Sequence, residues 1–211
     1  MKRSKFNKSI PIITLAAAFC FLTSVAAIAG PIDLGSSVWS GNGHTYHLLA
    51  NSDGDAFSGI TWTDAESYAV NTLGGHLATV DSQEASNWLW DTFGKDANIN
   101  LWIGLTDQVD EGAFKWIANG QAPLFTNWYP GEPNNFGNED YVFILHSSFV
   151  GGNGFGAGLW NDGQSSWTDF MGGSNYAIAE TASSPVPEPA TMLLLSSGLV
   201  GLAGLRKKLK R

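Results

Sequence analysis

Residues 30–182 predict an α+β domain on three observations. Two segments, 61–73 and 82–92, carry apolar residues at helical spacing. Short strand-like runs flank them, and the stretch from Asn119 to Asn138, rich in Pro, Gly and Asn, has no periodicity at all. Taken in order, 44–49 alternates enough for a first strand, and 51–59 reads as a loop. Thr61 or Thr63 caps a helix running through Leu73, with Ala65, Tyr68, Ala69 and Thr72 on one side and Gly74-Gly75 ending it. Ser82, with Glu84 close behind, opens a second helix carrying Ala85, Trp88, Leu89 and Thr92. Strands are predicted at 101–105, 113–117, 141–145 and 176–180. The irregular stretch 119–138 is too long for an ordinary connection, and such loops are commonly functional. A second Gly-rich segment, 147–158, reads as an extended turn before Leu159-Trp160, and 181–185 reads as a linker.

The two ends are sequence of another kind. Lys2, Arg3, Lys5 and Lys8 precede a largely apolar run, and Ala27-Ile28-Ala29 fits a small-residue cleavage site, so 1–29 is predicted to be a signal peptide read by the Sec machinery. The only cysteine, Cys20, lies inside it; bulky Phe19 argues against a lipoprotein signal there. At the other end, 183–211 holds Val186-Pro187-Glu188-Pro189, a mainly apolar run at 190–205, and then Arg206, Lys207, Lys208, Lys210 and Arg211. Sixteen residues are short for a bilayer span, which needs about 20, and the basic end would stay cytoplasmic.

From Asp33 to Glu188 only Lys95 and Lys115 stand against nineteen acidic residues, a formal charge of −17. Such a surface repels phosphate backbones and anionic lipid, which excludes nucleic acid as a partner. Acidity alone would suggest disorder, but nine tryptophans in the same stretch call for a packed core.

Chemistry concentrates in Glu132-Pro133-Asn134, Glu139 and Trp160-Asn161-Asp162. Three carboxylates and two amides are hard oxygen donors, with no thiolate and no clustered imidazole, a set suited to Ca2+. By themselves these residues also fit a solvated acidic loop folded by Asx turns. The order and spacing, however, resemble the long-loop calcium site of C-type lectins. Trp62-Thr63-Asp64-Ala65-Glu66-Ser67-Tyr68 looks like the first helix of that family, Gly74-Gly75-His76-Leu77-Ala78-Thr79-Val80 like the strand after it, and Leu101-Trp102-Ile103-Gly104-Leu105 like its core strand. The likeness runs from about His44 to Glu180. It implies a C-type lectin-like fold with two helices, small antiparallel sheets and a long calcium-binding loop.

It also implies that Glu132, Asn134, Glu139, Asn161 and Asp162 hold a primary calcium and bind carbohydrate through it. A cis peptide is expected at Pro133, and the Glu-Pro-Asn order implies mannose-type specificity. Asp107, Glu111, Asn135, Glu139 and Asp140 resemble an auxiliary calcium site; an acidic hairpin loop is the bland alternative. The family's two disulfides are missing: the matching positions are Ala69, Tyr141, Ser165 and Ala179. Trp128 and Trp167, in irregular segments, are candidates to flank a sugar. His76 reads as structural.

The C-terminal tail is similar to the PEP-CTERM sorting signal. That resemblance implies processing by an exosortase and a place on the surface or in the extracellular matrix of a Gram-negative bacterium, reached through the inner membrane, with exopolysaccharide as a candidate ligand and the apolar run at 190–205 as a transient or permanent membrane anchor. No Gly-x-Ser-x-Gly, mature cysteine or phosphate loop is present, and pairs such as Asp110 with Glu111 or Glu139 with Asp140 fit calcium or solvent better than glycosidase chemistry, so a binding protein and not an enzyme is predicted. The rival is a structural or adhesive matrix protein in which calcium only rigidifies the fold and the partner is protein.

Overall fold

A computed structural model describes residues 30–52, 57–147 and 156–183. The signal-peptide prediction, Cys20, the Pro-Glu-Pro segment and the apolar run at 190–205 lie outside the described residues, as do 148–155 of the second Gly-rich segment. Among the described residues no helix is long and apolar enough to cross a membrane.

Two short helices and ten strands make the domain. The main sheet begins with β1 (Gly30–Val38), β2 (Thr45–Ser52), β10 (Gly173–Thr181) and β5 (Ile99–Thr106), and continues through β7 (Tyr141–Ile144) to β8 (Trp160–Gly163), in that spatial order. Two-residue strands attach at its flanks: β3 (Phe57–Ser58) on β2, β4 (His76–Leu77) and β9 (Asp169–Phe170) on β10, and β6 (Lys115–Trp116) on β5. One pairing departs from the antiparallel expectation: β10 runs parallel to β5, with Tyr176 opposite Leu101. A parallel pair needs a long crossover, and the excursion through the irregular loop, β7 and β8 supplies it. The sheet is therefore mixed.

β1 escaped the sequence reading for a physical reason. Gly30, Pro31, Gly35, Ser36 and Ser37 are poor strand formers, and Pro31 is tolerated because β1 is an edge. A register shift between Asp33 and Gly35 bends it, with Gly35 at φ 144° donating its N–H to Asp33 Oδ1 at 2.8 Å.

The helices start as predicted, and the first ends on Gly74, left-handed at φ 73°, as predicted; their last turns differ. Thr61 Oγ1 accepts the Asp64 N–H, opening α1 (Trp62–Tyr68), and Ser82 Oγ accepts the Ala85 N–H, opening α2 (Gln83–Leu89). Each then widens into a π-helical turn, over Ala69–Leu73 and Trp90–Gly94. A π turn uses an extra residue, so the buried face slips by one. Leu73 and Phe93 pack against the core where Thr72 and Thr92 were expected, and those threonines are exposed.

Two indoles lock α1 to the central strand. Trp62 Nε1 donates to the Ile103 carbonyl at 2.8 Å and Trp102 Nε1 to the Ile60 carbonyl at 3.0 Å, satisfying both buried donors. Gly104 is required here, because a Cβ would stand 2.4 Å from the Leu77 carbonyl oxygen. Where the disulfides would have been, Ala69 and Ala179 are fully buried in one apolar cluster, and the Tyr141 hydroxyl hydrogen-bonds Ser165 while its ring lies 4.6 Å from Trp62. Packing and one polar contact occupy both positions.

Candidate functional site

Residues 119–138 form no helix or strand, yet the loop is anchored. Trp128 bridges Trp160 in parallel, Trp160 N–H donates to the Asn127 carbonyl at 2.8 Å, and Tyr129 N–H donates to the Trp160 carbonyl at 2.8 Å. Trp160 itself is fully buried and meets Trp116, Phe125 and Trp128 edge to face at 6.2, 5.5 and 5.9 Å. The residue before Asn161-Asp162 is thus an anchor that fixes both strand and loop. The Glu132–Pro133 peptide is cis, as expected. Beyond it, Asn135 (φ 50°), Gly137 (φ 79°) and Asn138 (φ 73°) take left-handed backbone, which Asn and Gly adopt most readily. Asn134 Oδ1 accepts the Phe136 N–H at 2.8 Å and Asn135 Oδ1 the Glu139 N–H at 2.7 Å, the Asx geometry that turns the chain back.

This turn carries Glu132, Asn134 and Glu139 to Asp162 on β8. Asp162 is fully buried; its Oδ1 accepts the Asn134 N–H at 3.3 Å and its Oδ2 the Asn135 N–H at 2.9 Å. Glu139, 3% exposed, accepts the Phe136 N–H at 2.8 Å. Asn161, also buried, turns its amide nitrogen to the Asp162 carbonyl. Glu132 Oε2 is buried with no hydrogen-bond partner. The three carboxylates feel one another. Burial, a hydrogen bond with the Asp162 carboxyl and the Asp162 charge push Glu132 up to about 7; burial, then Asp162 and Glu132, push Glu139 up to about 7.

Among the described residues no three His, Cys, Asp or Glu side chains already form a closed cation cage. The predicted set offers three carboxylates, of which Asp162 and Glu139 lean on loop N–H groups, with amide oxygens as its other donors. A carboxylate oxygen that accepts one hydrogen bond keeps a second lone pair. The donor set and the bare Glu132 oxygen therefore fit a calcium ion.

The auxiliary set is gathered less completely. Asp107, 3% exposed, accepts the Gly112 N–H at Oδ2 (2.8 Å), while its Oδ1 is buried without a partner. Its N–H reaches the Asp140 carbonyl at 3.2 Å. Burial raises its pKa, and the charges of Glu111 and Asp140 add to the rise. Asn135 and Glu139 belong to the neighbouring turn. The buried carboxylate oxygens that lack a partner among the described residues fall one in each expected set.

Other expectations fare differently. Trp128 packs at 5.1 Å on Phe114 and against Trp160, and Trp167 stacks at 5.1 Å on Phe170; both rings are half-buried. An exposed aromatic of this loop is Phe136, 80% accessible at its tip, which no periodicity could have marked. Each of three histidines faces its own carboxylate: His44 with Glu180, His47 with Asp33 and His76 with Glu66, at 2.6–2.7 Å. His76 is structural, as expected.

The sequence comparisons agree with this geometry. Residues 58–169 match the family model for the lectin C-type domain, and residues 185–208 match the PEP-CTERM protein-sorting motif. An alpha-N-acetylgalactosamine-specific lectin from Patiria pectinifera is 35% identical over 57% of this chain and 67% of its own length. Lectin BRA-3 from Megabalanus rosa is 30% identical over 72% and 83%. A perlucin-like protein from Mytilus galloprovincialis is 33% identical over 39% of this chain and 53% of its own length, so the chain spans about half of that relative. Among solved structures, the human scavenger receptor C-type lectin carbohydrate-recognition domain aligns with TM-score 0.51 at 24% identity, over 70% of this chain and 95% of that one. A calcium-independent type II antifreeze protein aligns with TM-score 0.51 at 21% identity, over 71% and 92%. At these identities the two structures speak for the fold alone.

Proposed function

The chain belongs to the C-type lectin domain family, a family of non-enzymatic binding proteins, and on that premise we propose that its 132–162 region binds calcium and, through it, a neutral sugar. One observation carries the reading: Glu132, Glu139 and Asp162 crowd together with no lysine or arginine beside them, and Glu132 Oε2 has no partner. A divalent cation relieves that repulsion. In this reading Glu132, Asn134, Glu139, Asn161 and Asp162 supply oxygen ligands, and the bound ion supplies two coordination positions to vicinal sugar hydroxyls. Glu132 accepts a hydrogen bond from one sugar hydroxyl and the Asn134 amide donates one, which orients the sugar and selects mannose-type equatorial hydroxyls. Asp107, Glu111, Asn135, Glu139 and Asp140 hold the second calcium and stiffen the same turn.

A glycan array in calcium and in chelator tests this. Mannose, fucose, glucose or N-acetylglucosamine termini are expected to bind in calcium only. The paired substitution Glu132→Gln with Asn134→Asp exchanges acceptor and donor, and weakens those sugars roughly tenfold or more. The Patiria relative is named for N-acetylgalactosamine; preference for such termini by the unaltered domain would refute the mannose-type assignment. Calcium stabilisation without any glycan would favour the adhesive, protein-binding role.

The PEP-CTERM motif implies an exported, surface-associated bacterial protein processed by an exosortase. We place that processing near Pro187-Glu188-Pro189 in a Gram-negative envelope, after removal of residues 1–29. Intact mass of the surface form should show loss of both ends; a full-length C-terminus would mean the tail only anchors.

A further inference from the structure

Beside the calcium loop, on the flank away from Glu132, lies a cleft of about 320 Å3 walled almost wholly by polar groups. Gln108 comes from the turn after β5, Asn138 and Asp140 from the loop, and Gln164, Ser165 and Ser166 from the turn after β8. We propose that this cleft is a second saccharide subsite, which holds the sugar residue next to the one at the loop and takes neutral sugars in preference to uronic acids. The inference rests on the sugar-binding reading above and adds to it a place for the rest of the chain.

Three features carry it. The first is connection. Asp162 lies on β8 and Gln164 just past its end, so their backbones are no more than about 7 Å apart. Both reach the same loop: Asp162 accepts the Asn134 and Asn135 N–H groups, and Gln164 Nε2 donates to the Gly137 carbonyl at 2.8 Å. Glu139 and Asn138 are likewise neighbours, one belonging to the calcium set and the other to the cleft. A glycan seated at the loop therefore has the cleft within reach.

The second is chemistry. Three carboxamides and two hydroxyls each offer donors as well as acceptors, which matches the dual character of sugar hydroxyls. Two of the amides are already held: Gln164 spends one hydrogen on Gly137, and Asn138 Nδ2 spends one on Asp140 Oδ2 at 2.9 Å. Each keeps a second amide hydrogen and its carbonyl oxygen for a ligand. Fixing these rotamers before binding lowers the ordering cost. The third is charge. Asp140 is the only carboxyl side chain in the wall, and no lysine or arginine lines it. Even with both calcium ions in place, the six carboxylates of the two sets outnumber the ions' four positive charges, so a uronate there would face net negative charge, whereas a neutral hexose or N-acetylhexosamine meets no such penalty.

Titration calorimetry with mannose and mannotriose, in calcium, decides the matter. The trisaccharide is expected to bind about tenfold more tightly than the monosaccharide, the worth of two or three added hydrogen bonds. Ser166→Trp, an exposed position, should obstruct the cleft and bring the trisaccharide to the monosaccharide level while mannose itself binds as before; Gln108→Ala should remove part of the advantage without adding bulk. A mannose-terminated disaccharide whose second residue is glucuronic acid should gain nothing over mannose. Equal binding of mannose and mannotriose by the natural domain, or an advantage that survives Ser166→Trp in a domain of unchanged melting temperature, overturns the subsite. A gain from the glucuronic acid residue equal to that from mannose overturns its preference for neutral sugars. If neither mannose nor mannotriose binds in calcium, the sugar-binding reading falls and the subsite with it.

Discussion

The domain covers carboxylates in two places and treats them in opposite ways. Glu180, at the end of β10, is completed by protein. Its Oε1 accepts from His44 Nδ1 (2.6 Å), the Tyr46 hydroxyl (2.9 Å) and Asn42 Nδ2 (3.3 Å), and its Oε2 accepts the Thr79 N–H at 2.9 Å. Burial, and then the Glu180 charge, push the Tyr46 phenol up, so it stays a donor. The loop carboxylates have only backbone N–H groups, one another, and an oxygen with nothing to bond. A carboxylate surrounded by four donors is a structural joint. Three that repel each other are, in the reading proposed above, a place for a cation. The difference lies in what faces the charge, since both regions are covered.

The largest expected effect is on the completed joint. Glu180→Ala strands the Thr79 N–H, the Tyr46 hydroxyl and His44 at once, and should cost about 2–4 kcal/mol in urea unfolding, with or without calcium. A loss that calcium alters would blur the distinction drawn between the two regions. Next comes calcium itself. An ion at a hundredfold excess over its Kd stabilises by about 2.7 kcal/mol, or about 5–10 °C for a domain of this size, so melting temperature should rise by that order over chelator. Coincident melting curves would mean the loop is complete without a cation.

The smallest effect is on pH. Glu132 and Glu139 sit near 7 in the folded, metal-free domain against 4.5 for an ordinary glutamate, so the folded state holds more protons than the unfolded state between those values. Stability in chelator should therefore rise as pH falls through 7. Burial lowers the pKa of His146, which opposes the trend below its ordinary 6.5, leaving about pH 8 to 6.5 as the window to measure. Calcium should flatten the slope; a chelator slope of the opposite sign would contradict the crowding.

The same contrast explains what could be read in the sequence. Thr61 and Ser82 announced their helices because a cap is a local event between residues three apart. The π turns left no such mark, since a one-residue widening is decided by which of Thr72 and Leu73 finds the core. Glu132, Asn134, Glu139 and Asp162 stood out through the flanking strands that resemble those of C-type lectins, since by themselves such donors also fit a solvated loop. Gln164 was not: its role depends on the Gly137 carbonyl, which only the folded turn brings to it. Trp128 and Trp167 lie in irregular segments yet pack on Phe114 and Phe170, contacts that no local pattern announces.

The Tyr141–Ser165 contact and the Ala69 and Ala179 packing carry one more consequence. From residue 30 onward the chain has no thiol. Its folding therefore involves no exchange partners, no isomers to sort and no dependence on the glutathione poise of the compartment in which it happens. The domain reaches the same state in reducing and oxidising solution, so an envelope short of disulfide-forming catalysts is no obstacle to it.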